Sequence, residues 1–185
     1  MGTPIQNIED RDKILWFVVI AYKQETKAEK ILSGTDGLEF YIAKHYVIRM
    51  VQGKRQRVLV PYIPNLLFIH ASWTQIVNFK KKHPFIKFAT WNKSTGLEYL
   101  IVPDTQMHNF IRVTSDIEKD VKYYSPDEIK FGAGTKVRVI GGELDGVEGT
   151  FVKVSGRRSR QLVVLIPKLL AASIQISPDY LEVLE

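Results

Sequence analysis

Gly134-Thr135-Lys136-Val137-Arg138-Val139-Ile140-Gly141-Gly142 and, three residues on, Gly146-Val147-Glu148-Gly149-Thr150-Phe151-Val152-Lys153-Val154 decide the fold of the C-terminal third of this 185-residue chain. Lys136, Arg138 and Ile140 fall on one side of an extended segment, and Val137 and Val139 fall on the other. Phe151 and Lys153 alternate in the same way with Val152 and Val154. Period-two alternation on both sides of a glycine-rich turn predicts two antiparallel strands of a half-buried sheet. The glycines suit bends, positive φ or a close backbone approach, where a Cβ would clash.

Three more short strands are expected beyond this pair: Gln161–Ile166, about Ala171–Ile176 and Tyr180–Leu184. Five short strands within about 55 residues predict a compact all-β barrel over 131–185. Upstream, Glu118 to Lys130 is polar, contains Ser125-Pro126-Asp127-Glu128 and lacks periodicity, which reads as a linker over 118–130.

The region 14–117 has a different rhythm. Ile14-Leu15-Trp16-Phe17-Val18-Val19-Ile20-Ala21-Tyr22 is a continuous apolar run, the pattern of a strand covered on both faces. A helix follows from Glu25 to about Leu32, with Ala28, Ile31 and Leu32 buried and Lys23, Lys27 and Lys30 aligned on another face. Tyr46–Val51 and Arg57–Val60 form a hairpin tipped by Gln52-Gly53-Lys54-Arg55. Leu66-Leu67-Phe68-Ile69 is a further strand, and Ser72 with Gln75 fits a capping box that opens a second helix. Phe85 to Trp91 reads as one strand, Tyr99 to Val102 as a short extended segment, and Asp104 as the cap of a third helix. Strands and helices in this mixed order, with an antiparallel hairpin, predict an α+β fold.

Composition narrows the function. An apolar fraction of 45% supports real cores, and the absence of cysteine removes disulfides and thiolate metal sites. The polar leader 1–13 has no apolar h-region, and no apolar run reaches the roughly 20 residues a membrane span needs. A cytoplasmic protein without membrane contact is expected. The net charge of +6 favours polyanionic partners, nucleic acid or ribosome. His45, His70, His83 and His108 lack metal-site spacing, and no nucleophile elbow, Walker loop or dinucleotide fingerprint is present. No enzyme, metal or cofactor is expected.

The glycine-flanked pair of strands resembles the KOW motif of small SH3-like barrels in ribosomal proteins and transcription elongation factors. Trp16-Phe17-Val18-Val19 and the pairing of Val51-Gln52-Gly53-Lys54-Arg55 with Ile63-Pro64-Asn65-Leu66-Leu67-Phe68-Ile69 resemble the NusG N-terminal (NGN) domain. Asparagine after the proline is closer to the paralogue RfaH than to general NusG. Val102-Pro103-Asp104, Met107, Phe110 and the KOW segment look most like the UpxY branch, antiterminators of capsular polysaccharide operons. The resemblance runs from Trp16 to Glu185.

It implies a factor that docks on the clamp helices of the largest subunit of bacterial RNA polymerase and suppresses pausing and termination. The docking residues it implies are Ile20, Ile63, Leu66 and Phe68; the family usually has an aromatic residue where this chain has Leu66. It implies non-template DNA or nascent RNA near Lys23, Lys27 and Lys30, and DNA or polymerase near Lys54 and Arg55. A ribosomal protein or Rho is implied as the partner of the KOW domain, and the basic loop carrying Arg157, Arg158 and Arg160 is its candidate contact. Each apolar residue has core packing as its competing reading, and each cation has a solvated face. The alternatives for the whole chain are a general NusG factor and a ribosome-associated KOW protein.

Overall fold

A computed structural model describes residues 12–93, 96–125, 128–129 and 134–184. The chain divides into two compact units, Met1–Asp104 and Thr105–Glu185. Every strand pairing among the described residues is antiparallel.

In the first unit β1 (Leu15–Ala21) is central, as its unbroken apolar sequence requires. It pairs with β5 (Leu66–Ala71) on one side and with β6 (Ile86–Phe88) and β9 (Ile101–Val102) on the other, while β2 (Glu39–Tyr41) lies outside β5. Phe17, Val19 and Ala21 share one face with Leu67, Ile69 and Ala71. Ala28 and Leu32 of α1 (Glu25–Ser33) and Ile76 and Phe79 of α2 (Trp73–Lys82) close that face. Burial of Leu32, Ile76 and Phe79, each contributing about 1.5–3 kcal/mol, holds the helices down. Ser72 and Gln75 make the expected capping box at the start of α2.

The hairpin β3 (Lys44–Val51) and β4 (Lys54–Pro61) is a separate two-stranded ladder with a two-residue turn. Gln52 and Gly53 both have positive φ, 49° and 76°, the conformation that matches the natural twist of paired strands.

The second unit holds a six-stranded sheet in the order β10-β14-β13-β12-β11-β15. Its strands are β10 (Lys122–Tyr124), β11 (Thr135–Val139), β12 (Glu148–Lys153), β13 (Arg160–Ile166), β14 (Leu170–Ile174) and β15 (Leu181–Val183). β11 and β12 pair as the opening stretch predicts, with Val137 and Val139 buried and Lys136 and Arg138 exposed. Gly149 faces Val137 across that ladder, and a Cβ on it would lie 2.6 Å from the carbonyl oxygen of Val163.

Three expectations are corrected, and one strand had not been anticipated. The segment Phe85–Trp91 is two strands, β6 and β7 (Thr90–Lys93), because the chain leaves the β1 ladder at Ala89 to pair with β8 (Gly96–Tyr99). Alternation records which face a side chain takes, not which partner its strand has. Asp104 lies inside the first turn of α3 (Asp104–Thr114) rather than capping it. β2 has only three residues and gave no pattern to read. The polar stretch 118–130 contributes β10, whose Tyr123 and Tyr124 pair with Ala172 and Ala171.

Candidate nucleic-acid and protein interface

The end of β1 and the start of β5 form the first candidate surface. Ile20 opposes Leu66, and Val18 opposes Phe68, so all four side chains take the face opposite the helices. Val18 and Phe68 are buried, whereas Ile20 is 37% exposed and Leu66 is half-buried. Phe68, expected on the docking surface, is 1% exposed and belongs to the core. Within β5 the middle residues Leu67, Phe68 and Ile69 are all covered, and only Leu66 and His70 are partly exposed.

Asn65 holds this end of the sheet together. It sits at φ 70°, a left-handed conformation that asparagine tolerates better than most residues. Its Oδ1 accepts a hydrogen bond from the Lys23 amide at 2.6 Å, and its own amide donates to Glu25 Oε1 at 2.7 Å. Its carbonyl accepts from the Ala21 amide at 2.8 Å. The three bonds pin the turn carrying Ile63 and Leu66 against the end of β1 and the first turn of α1. Tyr22, 65% exposed beside Ile20, is a candidate the sequence reading missed. An aromatic closing an apolar run was the available signal.

Lys23, Lys27 and Lys30 do not form the single helical stripe their spacing suggests. Lys23 lies before α1 in a turn with φ 54°, so only Lys27 and Lys30 are helical. All three are exposed, and the Lys27 ammonium lies 4.6 Å from the centre of the Phe85 ring. Further along, Lys80, Lys81 and Lys87 surround a cleft of about 290 Å³ with Pro84, Ile86 and Phe88. Lys80 Nζ lies 3.8 Å from the centre of the Phe88 ring, and partial burial lowers its pKa from the usual 10.5. No carboxylate pairs with these lysines among the described residues. The sequence reason is plain once sought: between Glu39 and Glu98 the chain has ten lysines or arginines and neither an aspartate nor a glutamate. Lys54 and Arg55 share this acid-free stretch and are exposed at the start of β4.

A strand-centred apolar patch beside an uncompensated basic face thus occupies one unit. Residues 15–111, from β1 into α3, match the family described as transcription termination factor NusG. The chain belongs to the NusG family. That membership makes it a transcription factor. No individual curated protein matches the chain.

Beyond the matched NusG segment the cations are used differently. Arg157 Nη1 pairs with Asp120 Oδ2 at 2.5 Å, and its side chain is only 12% exposed. Asp120 raises the Arg157 pKa, and Arg157 holds the Asp120 carboxyl below its usual 3.8. Arg157, expected as a partner contact, is therefore a structural tie between its loop and the segment before β10. Arg158 remains exposed in the same loop, and Arg160, expected in it, is exposed at the start of β13. Arg138 bridges Glu148 at 2.7 Å and Glu182 at 3.4 Å across three strands. Arg112, which no sequence pattern marked, donates to the carbonyls of Glu143 and Asp145 in the glycine-rich turn. Histidine chemistry is spent on packing: His70 stacks on Trp16 at 4.6 Å and bonds Glu39, and His83 packs on Phe79. Among the described residues no helix is long and apolar enough to cross a membrane, and no group of side chains is placed to hold a metal ion.

Proposed function

We propose that this NusG-family protein is an elongation and antitermination factor that docks on the clamp helices of bacterial RNA polymerase through Ile20, Ile63 and Leu66. The observation that carries this reading is the cross-strand pair Ile20 and Leu66, left partly open to solvent at one end of an otherwise closed sheet. Apolar side chains fixed on strands lose little conformational freedom when they enter a partner's pockets. Lys23, Lys27 and Lys30 contact the non-template DNA strand or nascent RNA through phosphates, and the lysines of α2 and β6 extend that face. Lys54 and Arg55 contact nucleic acid from the hairpin.

The functional division in this proposal is an NGN domain over 14–117 and an SH3-like KOW domain over 131–185. The stretch 118–130 connects them while lending one strand to the second sheet. The KOW domain recruits a ribosomal protein or Rho through Arg158 and Arg160. The likeness to the UpxY and RfaH branch favours polysaccharide biosynthesis operons as targets.

Single-round transcription by bacterial RNA polymerase tests the proposal, on templates carrying a polysaccharide-operon leader or an unrelated one. The expected result is fewer pauses and more read-through on the first template only. Ile20→Ser with Leu66→Ser should weaken polymerase binding by about tenfold or more, the size of a modest interface hot spot. Equal action on both templates would replace the specialised factor with a general one. No polymerase binding at all would overturn the reading.

A further inference from the structure

Lys80 differs from the lysines that the fold has already engaged. Lys44 pairs with Glu29 at 2.6 Å, Lys119 pairs with Glu143 at 2.5 Å, and Lys27 bonds Gln24. Lys80, in the last turn of α2, is half-buried and has no ion pair among the described residues. Its Nζ lies 3.8 Å from the centre of the Phe88 ring. That ring is itself fixed, stacked on Trp73 at 5.3 Å and packed on Tyr99 at 4.6 Å. The amine is therefore held at one place, on the wall of the cleft of about 290 Å³ that Val77, Pro84, Ile86 and Phe88 also line. The charged residues that share this cleft, Lys81 and Lys87, are cations, and beyond the helix end His83 packs on Phe79.

Two effects oppose each other at this amine. The ring face attracts the ammonium form, whereas apolar surroundings without a counter-ion disfavour it. The second wins, and burial holds the Lys80 pKa below the ordinary 10.5. A lysine at that ordinary value has roughly one free amine in 3,000 at pH 7. Desolvation enlarges the free share, and a free, fixed lysine amine is a nucleophile. Lys81, exposed at the same cleft, adds positive potential that concentrates anions there. A nucleophile beside a cation suits an electrophile that is itself an anion, and acyl phosphates are that class of compound.

We infer that Lys80 is a modification site, acylated at Nζ by acyl phosphates that Lys81 draws into the cleft. The Nζ lone pair attacks the acyl carbonyl carbon and the N–C bond forms. The bond from that carbon to the phosphate oxygen breaks, and its electron pair leaves with phosphate. The proton lost by nitrogen passes to the departing phosphate, so the products are a neutral amide and hydrogen phosphate. Acylation removes one positive charge from the basic face of the first unit. That consequence rests on the proposed nucleic-acid role of the α2 lysines, whereas the modification itself does not.

The test is a time course of the full chain with acetyl phosphate across a pH series, kept at low conversion and read as the initial rate at each lysine by peptide mass spectrometry. Lys80 should acetylate at least about threefold faster than Lys82, its exposed neighbour on the same helix. Its rate should stop rising with pH before the ordinary lysine value of 10.5 is reached. Lys81→Gln should slow Lys80 about threefold with acetyl phosphate, the scale of one screened charge contact, and leave its rate with uncharged acetic anhydride unchanged. Lys81 is exposed, so thermal melting of that variant should match wild type and a folding defect is separable. Labelling of Lys80 no faster than Lys82 overturns the site, as does a wild-type Lys80 rate in Lys81→Gln. A preference for Lys80 with the acetyl thioester of coenzyme A, but not with acetyl phosphate, overturns the assigned donor. Lys80→Gln, which resembles the neutral product, should flatten the salt slope for binding of a DNA oligonucleotide by up to about 0.9, and Lys80→Arg should restore it. Preferred labelling without that change supports the modification site and overturns the nucleic-acid role of the α2 lysines. The change in slope without preferred labelling overturns the modification and leaves the proposed function standing.

Discussion

In the unit Met1–Asp104, Lys80, Lys81 and Lys87 ring a cleft without an ion-pair partner among the described residues, whereas in the unit Thr105–Glu185 the basic side chains are largely engaged. Arg138 spans Glu148 and Glu182, Arg157 holds Asp120, Lys119 meets Glu143 at 2.5 Å, and Arg112 binds two carbonyls. A cation satisfied within its own fold has little to offer a phosphate, because binding must first break the existing pair. An unpaired one carries counterions whose release drives association. Net charge alone does not separate these two uses. What separates them is where the carboxylates are, and this chain places none between Glu39 and Glu98.

The largest effect that would sharpen this contrast is structural. Gly149→Ala puts a Cβ 2.6 Å from the Val163 carbonyl and 2.9 Å from Leu162 Cδ1, and neither strand can retreat without losing its ladder. A loss of about 3 kcal/mol is expected in chemical denaturation, while the salt slope for DNA binding by the folded protein stays the same. A change in that slope would show that the second unit shares the nucleic-acid face.

Next comes the basic cleft. Lys80→Gln, Lys81→Gln and Lys87→Gln together should flatten the salt slope by up to about 0.9 for each lysine that neutralises a phosphate, and Arg158→Gln with Arg160→Gln should leave it unaltered. The reverse outcome would break the comparison. A smaller change belongs to Arg157→Ala, where the missing ion pair and the missing packing of a largely covered stem should cost about 1–2 kcal/mol. Arg138→Gln, at an exposed site, should leave the melting midpoint nearly unmoved, since solvent screens its pairs.

The smallest effect is a pH dependence. The Asp120 carboxyl has its pKa lowered by Arg157, so the folded state binds its proton less readily than the unfolded chain does. Its contribution is complete above the usual 3.8 and fades as pH falls below that toward the lowered value. Wild type and Asp120→Asn should therefore converge in stability on acidification; a difference that persists unchanged would remove Arg157–Asp120 from the structural account.

Much of the fold was legible residue by residue. The capping box at Ser72, the hairpin turn at Gln52-Gly53 and the buried alternation of Val137 and Val139 follow from local chemistry: side-chain hydrogen bonding, backbone φ and period two. The failures share a cause. Phe68 and Arg157 have the composition of interface residues, and only their neighbours in space make one core and the other an internal tie. Tyr123 and Tyr124 sat in a polar context that read as a linker, yet they form an edge strand, because strand pairing depends on the partner β14 as well as on the segment itself.

By itself, then, the amino-acid order determined the sequence of most elements, the turns between them and the acid-free stretch, because each depends on residues a few positions apart. Tertiary structure alone decided the rest: that Ile20 and Leu66 open to solvent while Phe68 does not, that Asn65 ties three segments into one surface, and that the arginines of the second sheet are internally paired. Exposure and pairing are properties of neighbours brought together across about 40 positions of chain, and local pattern carries no record of them.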